Sequence, residues 1–374
     1  MKLIPFNQVR HKVQPGIALP WGVRNAAGGL LLAKGQIVTD VAMLQGLLQR
    51  GAFVDATEVE RGNAADSELT GNLFNRWAGL EARLGGLLRS PAEKHFLQRV
   101  RESLVHVAAI ANGNTDQLIY LILRHDHTRF NNYGVAHALH TAALCGLLSR
   151  RMGWPNSKCS SLIGAALTMN ISILDLQGEL ATRGSRPTAA EQEIINDHCL
   201  VSARMLRDVG LGDEDWLQTI EQHHEIPGGG GYPRNITEPS EMAQLLRLVD
   251  VFTAKHSPRA GRQSLPAHQA ARELFVQSKG NPMASLLIKE LGIYPPGCYV
   301  KLASGEVGIV IEVGANAKTP VVATITNTSG DALLQPIRRD TAQSRYAVVD
   351  TVPDSAIKVK VLVENLYELG AQGA

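Results

Sequence analysis

From Asp116 to Leu291 apolar residues return at three- and four-residue intervals in one segment after another, and this repetition constrains the fold more than any other feature. The segments run Asp116–Leu123, Tyr133–Met152, Lys158–Leu167, Ala189–Val209, Asp213–His224, Glu238–His256, Pro266–Gln277 and Pro282–Leu291. No alternating apolar and polar run interrupts them. The economical architecture is therefore a helical bundle, the kind of fold whose facing helices assemble metal sites in its interior. Thr188 followed by Glu191 has the spacing of a capping box and marks the start of the fourth segment.

Beyond Pro295-Pro296-Gly297 the pattern changes. Val300–Leu302, Val307–Val313, Val321–Thr326 and Tyr346–Val349 are short β-rich runs punctuated by Gly305, Gly314 and Gly330, which predicts a small barrel-like β domain over 294–374. At the other end, a turn at Pro15-Gly16, a hairpin around Gly28–Gly35 and a helix from Asp40 to Arg50 closed by Gly51 read as an α+β accessory module over 1–55, suited to packing or partner contact. A polar linker follows from Asp55 to Asp66. In 67–112, Leu73, Trp77, Leu80, Leu84 and Leu87, then Phe96, Val100, Leu104 and Val107, predict two amphipathic helices. These either pair in a homodimer or form a shoulder on the main domain, 115–293. The fold class is mainly α, with the small α+β module before it and the β domain after.

A length of 374 residues allows two or three domains, and 44% hydrophobic with 19% charged residues is a globular composition. A formal net charge of +2 supplies no broad basic field for duplex nucleic acid. No run of apolar residues is long enough for a membrane span, so a soluble, cytoplasmic protein is expected. Cys145, Cys159, Cys199 and Cys298 lack metal-knuckle spacing and read as reduced core thiols.

The densest chemistry lies in His223-His224-Glu225-Ile226-Pro227-Gly228-Gly229-Gly230-Gly231-Tyr232-Pro233, where two imidazoles end a helical pattern and four glycines follow. A helix that stops and turns there brings both imidazoles to one point. This stretch resembles the loop that gives HD-GYP domains their name, HHE, two residues, DG, one residue, GYP, with Gly228 standing in place of the family's Asp. The likeness continues through Asp250-Val251-Phe252-Thr253-Ala254, Arg259 and Leu291-Gly292-Ile293-Tyr294-Pro295-Pro296-Gly297, and covers the chain from about Asn131 to Gly297.

HD-GYP domains are a branch of the HD metal-dependent phosphohydrolases and hydrolyse the bacterial messenger cyclic di-GMP. The resemblance implies an HD-type bundle and a place in cyclic di-GMP signalling. It also implies a ligand set: His137 from Tyr133-Gly134-Val135-Ala136-His137, with His140 as runner-up, then His198, His223, His224 and Asp250. Where the family reads HDIGK, however, this chain reads Met169-Asn170-Ile171-Ser172-Ile173. A ligand, a bridging carboxylate and a lysine are lost at Met169, Asn170 and Ile173. Two divalent cations about 3.5–4 Å apart need an anionic bridge, which a neutral amide does not supply, and a thioether is a soft donor for a hard or borderline ion.

The expectation is a degenerate member that binds and regulates with little or no hydrolysis; the alternatives are an active metal-dependent phosphodiesterase and a protein-interaction scaffold. His198, His223 and His224 either hold one ion of iron, manganese or zinc or stand empty, hydrogen-bonded to one another, water or backbone. Gly231, Tyr232 and Pro233 are candidate ligand-binding positions because the family's loop borders its substrate and contacts partner proteins. Arg259 and Arg262 are candidates for phosphate contact, or are C-terminal helix charges.

Overall fold

The structure is a computed structural model that describes residues 2–10, 13, 19, 21–33, 36, 38, 41–58, 72–124, 130–262, 265–314, 316, 318–357, 359 and 366–367. The chain is mainly α. Its helices are α1 (Phe6–Val9), α2 (Val41–Gln49), α3 (Leu73–Leu87), α4 (Phe96–Ala111), α5 (Thr115–Leu123), α6 (Tyr133–Arg151), α7 (Asn156–Thr168), α8 (Leu174–Arg183), α9 (Ala189–Asp208), α10 (Glu214–Gln222), α11 (Glu241–His256), α12 (Ala267–Gln277) and α13 (Pro282–Leu291). The strands are β1 (Leu3–Pro5), β2 (Val23–Arg24), β3 (Leu30–Leu32), β4 (Phe53–Asp55), β5 (Tyr299–Leu302), β6 (Val307–Glu312), β7 (Val321–Thr326), β8 (Ala332–Asp340) and β9 (Val348–Val352). No helix among the described residues is long and apolar enough to cross a membrane. Two compact units emerge, Met1–Asn112 with Arg129–Asp250, and Gly113–Thr128 with Val251–Ala374.

In the first unit the N-terminal strands form an antiparallel sheet in the order β1-β4-β2-β3 over a core that includes Phe6, Trp21, Val23, Val38 and Val54. The hairpin turns at Asn25, whose Oδ1 accepts from the backbone N–H of Ala27 at 3.0 Å and of Gly29 at 2.8 Å, an Asx turn. Its strands are therefore β2 and β3, earlier than the glycine pattern suggested. Pro15, Gly16, Gly35, Asp40 and most of the expected linker lie outside the described residues.

The two amphipathic helices form as their spacing predicts. α3 buries Trp77, Leu80, Leu84 and Leu87, and α4 buries Phe96, Val100, Leu104 and Val107, both against α6. α6 is buried along nearly its whole length because α3, α4, α7 and α8 surround it. The α7–α10 contact depends on Gly164, where a Cβ would lie 2.3 Å from the Trp216 ring. Trp216 Nε1 then reaches Thr168 Oγ1 at 2.9 Å, the residue just before Met169. The capping box on α9 is complete: Thr188 N–H donates to Glu191 Oε2 at 2.7 Å, and Glu191 N–H to Thr188 Oγ1 at 3.3 Å.

α8 was absent from the periodic segments because its buried stripe is Leu174, Gly178 and Ala181, two of them too small to register as apolar. Gly178 is required there, since a Cβ would meet the Asn131 carbonyl at 2.7 Å.

Asp213 fastens α10 at its start. Its Oδ1 accepts from Trp216 N–H at 2.9 Å and its Oδ2 from Ser161 Oγ at 2.7 Å. Asp213→Ala should therefore lower stability by about 1–2 kcal/mol, the usual range for a lost N-cap, and Asp213→Asn by less. Urea unfolding midpoints check this; equal midpoints for wild type and Asp213→Ala would contradict it.

In the second unit the β domain is one antiparallel sheet in the order β8-β7-β6-β5-β9, with Val300, Leu302, Val310, Val322 and Tyr346 in its core. α5 is tied to it by Asp116 Oδ1, which accepts from Val313 N–H at 3.1 Å, and by Arg124 Nη1, which donates to Asp354 Oδ2 at 2.6 Å. The sequence pattern missed β8, an edge strand carrying Pro336 and two arginines, residue types that edge positions tolerate. The last strand starts two residues later than expected because Ser344–Tyr346 form a 3-10 turn.

Candidate metal centre

α10 ends at Gln222 and His223 is its C-cap, so the helix stops two residues short of the pattern and both histidines leave it on a turn. His198, midway along α9, faces them. His198 Nδ1 lies 2.5 Å from the Ile195 carbonyl oxygen and His223 Nδ1 lies 2.6 Å from that of Ile220. A carbonyl oxygen only accepts, so each Nδ1 carries the ring proton and each Nε2 presents a bare lone pair. Those two Nε2 atoms are 3.2 Å apart.

Two lone pairs at that distance repel unless a proton or a cation lies between them. Protonation is disfavoured: burial first, then the neighbouring His223, brings His198 down to about 4. Burial likewise lowers His223, and burial with His223 beside it holds His224 well below its ordinary value. Neutral imidazoles with their tautomers set by backbone carbonyls are the form that ligates a metal. The His224 ring sits 4.2 Å from that of His223 and 5.1 Å from that of His198, between centroids. With Cys199 included, the donor atoms of all four side chains lie within 4.8 Å of one another.

Beside this cluster His137 Nε2 meets Asp250 Oδ1 at 2.7 Å, with the Tyr133 ring stacked on His137 at 5.6 Å. Burial, the largest single influence, would raise Asp250, but the hydrogen bond with His137 and the nearby His137, His224 and His223 rings together hold the carboxyl well below the usual carboxylate range. Both members of the pair act electrostatically on His223. His140, one turn along α6, instead stacks on Trp77 at 5.6 Å.

Met169, Asn170 and Ile173 are all buried. Their turn is stitched to α9 at the candidate ligand itself, since Ser172 Oγ donates to the His198 carbonyl at 3.2 Å and lies 2.8 Å from Ser202 Oγ. The segment offers a thioether and a neutral amide in place of an imidazole and a carboxylate.

The glycine loop folds back on the end of α10. Glu225, fully buried, accepts from Arg234 N–H at 2.7 Å and Ile236 N–H at 2.9 Å and so closes the loop from inside. Gly228, Gly229 and Gly230 take φ of 88°, 99° and 85°, which side-chain-bearing residues rarely adopt. Gly231 is needed for a different reason: a Cβ would lie 2.5 Å from both Glu225 Cα and Ile226 N. Tyr232 stacks on His224 at 4.6 Å and 21°, and Pro233 follows a cis peptide. Arg259 and Arg262 belong to the second unit, where they exchange backbone hydrogen bonds and Arg262 donates to the Ala254 carbonyl and to that of Ser257 at 3.3 Å. These contacts cap the end of α11.

Sequence reasoning assigned no site role to Cys199 or Glu225. Cys199 adjoins a candidate ligand, which was a usable signal; the loop-closing role of Glu225 depends on contacts nine and eleven residues away.

The profile of the HD domain family matches residues 115–280. The chain is 26% identical over 259 residues to the cyclic di-GMP phosphodiesterase PA4108 of Pseudomonas aeruginosa, an alignment covering 65% of this chain and 62% of that protein. It is 23% identical over 197 residues to the cyclic di-GMP phosphodiesterase PdeB of Borreliella burgdorferi, covering 51% and 52%. The chain thus matches less than two thirds of the length of each relative. Among solved structures, Bd1817, a HDG"Y"P protein from Bdellovibrio bacteriovorus, superposes with a TM-score of 0.49 at 13% identity, over 77% of this chain and 98% of that one.

Proposed function

We propose that this chain, an HD-GYP domain protein, is a degenerate member of its family that binds cyclic di-GMP as a regulatory module and hydrolyses it little or not at all. The observation that carries this reading is the contrast within one buried site. The His198 and His223 Nε2 atoms, 3.2 Å apart with both Nδ1 protons engaged, fit a divalent cation, while the adjoining turn provides Met169 and Asn170.

In this reading His198, His223 and His224 hold one ion, which when bound supplies Lewis acidity. The Ile195 and Ile220 carbonyls keep the two Nδ1 protons in place and so orient the rings. Glu225 and Gly231 hold the loop against the end of α10, and Tyr232 covers His224. His137 and Asp250 remain as a bonded pair rather than a second metal site. Cyclic di-GMP is the ligand because two relatives are named for acting on it. Contacts with protein partners through the glycine loop or the N-terminal module, and a cytoplasmic location, belong to the same reading.

The metal assignment predicts at most one equivalent of bound ion, lost in His198→Ala, His223→Ala and His224→Ala and largely kept in His137→Ala. Elemental analysis of the purified variants decides it. Two equivalents in the wild type, or equal loss in His137→Ala, would contradict it. The retained His137–Asp250 pair favours a second reading, an active phosphodiesterase; added manganese or iron with product analysis discriminates the two.

A further inference from the structure

Arg247 sits on α11 one turn before Asp250, on the stripe of Glu241, Gln244 and Arg247 that the helix leaves partly open. Among the described residues it has no hydrogen-bond or ion-pair partner. Its charge bears on His224 and on Tyr232, the two rings stacked at 4.6 Å. We infer that Arg247 is the anion contact of the histidine site and pairs with a phosphodiester group of the bound nucleotide. The inference rests on the reading of this chain as a cyclic di-GMP-binding module, and assigns the protein group that recognises the ligand's phosphate.

The geometry directs this side chain to the open side of the site. Side chains of an α-helix tilt toward its N-terminus. That end of α11 is fastened beside the histidines, because Ser240 N–H donates at 2.8 Å to Oε1 of Gln222, the residue before His223. His198 and His223 are buried, whereas His224, Tyr232 and Arg247 are each half-buried, so a ligand approaching the cluster meets these three first.

A structural role does not account for this arginine. It lies in the first half of α11, too far from the last turn to answer the helix dipole, and it forms no ion pair with Asp250, the acid one turn on. Holding so long a side chain half-buried costs rotamer entropy, which a paired anion offsets. Met169, Asn170 and Ile173 bring no charge to the site, and Arg259 and Arg262 belong to the second unit. A guanidinium presents its N–H donors in a planar fork that matches two oxygens of one phosphate. A phosphodiester, with one negative charge shared between two oxygens, suits that fork and gains a charge-assisted pair that needs no bridging carboxylate. Such a pair holds the ligand equally in its ground state and in the transition state of cleavage, so it supports binding without hydrolysis.

The test is titration calorimetry of cyclic di-GMP against the full chain as wild type, Arg247→Ala, Arg247→Lys and Arg150→Ala, with metal content and urea midpoint measured for each. Arg150, exposed in the last turn of α6, is the control and should bind as wild type does. Arg247→Ala should weaken binding by about 10- to 100-fold, the scale of a hydrogen bond to a charged group, and flatten the dependence of affinity on salt. Arg247→Lys, which keeps the charge but loses the fork, should lie between. Metal content and midpoint should stay at wild-type values, because Arg247 has no partner among the described residues. Equal affinity in wild type and Arg247→Ala overturns the contact and leaves the binding module standing. Loss of metal or a lowered midpoint in Arg247→Ala makes the arginine structural and also overturns the contact. No binding by the wild type overturns both.

Discussion

The double variant Met169→His with Asn170→Asp should take up a second metal ion. Both positions are buried, on a turn bonded to the His198 carbonyl, and His137 and Asp250 already lie together beside the cluster. An imidazole and a bridging carboxylate would complete a second site from partners that are in place. The energetics make the result informative whichever way it falls. A buried Asp without cations beside it is an uncompensated charge, costing about 3–5 kcal/mol; with cations present the same carboxylate stabilises. Melting should therefore be lowered in the absence of manganese and restored by it, with elemental analysis showing two equivalents. A variant that is destabilised, unrescued by metal and still without a second equivalent would show that position 170 does not face the histidines.

Gly231→Ala should unseat the loop. The added Cβ would stand 2.5 Å from Glu225 Cα and Ile226 N and 2.7 Å from the His224 carbonyl, all backbone atoms that no rotamer change can move aside. The expected loss is about 3 kcal/mol, the upper part of the overpacking range, with reduced metal retention because the displaced backbone carries His224. Gly230→Ala is the control. Nothing lies within 4 Å of a Cβ there, although its φ is 85°, so the cost is the left-handed penalty of about 1–2 kcal/mol and the metal should stay. Equal unfolding midpoints and equal metal content in the two variants would contradict this account of the loop.

Much of the fold was legible because apolar spacing is a local signal. The α3 and α4 faces formed where Leu73–Leu87 and Phe96–Val107 placed them, and the Thr188–Glu191 box capped α9. Elements whose packing rests on smallness or on an edge were not legible: the α8 stripe contains Gly178 and Ala181, and β8 is an edge strand with a proline.

The same division holds at the site. Ordered motifs pointed to His137, His198, His223, His224 and Asp250, and the structure sets the last His-His pair against His198 and His137 against Asp250. Motif order left both His137 and His140 open; in the structure His137 meets Asp250 and the His140 ring stacks on Trp77. Nor could motif order place Cys199 near the histidines, because that depends on distances between side chains from α9 and the end of α10. Arg262 reads in sequence as a phosphate contact or a C-terminal helix charge, and in its own unit it donates to the Ala254 and Ser257 carbonyls at the end of α11.

The most direct test of the central claim is titration calorimetry of cyclic di-GMP against protein of assayed metal content, followed by product analysis after incubation with manganese or iron. The account predicts saturable binding with the messenger recovered intact, because loss of a bridging anion removes transition-state stabilisation more than ground-state binding. Metal-dependent turnover at an ordinary enzymatic rate, abolished by His223→Ala, would contradict it.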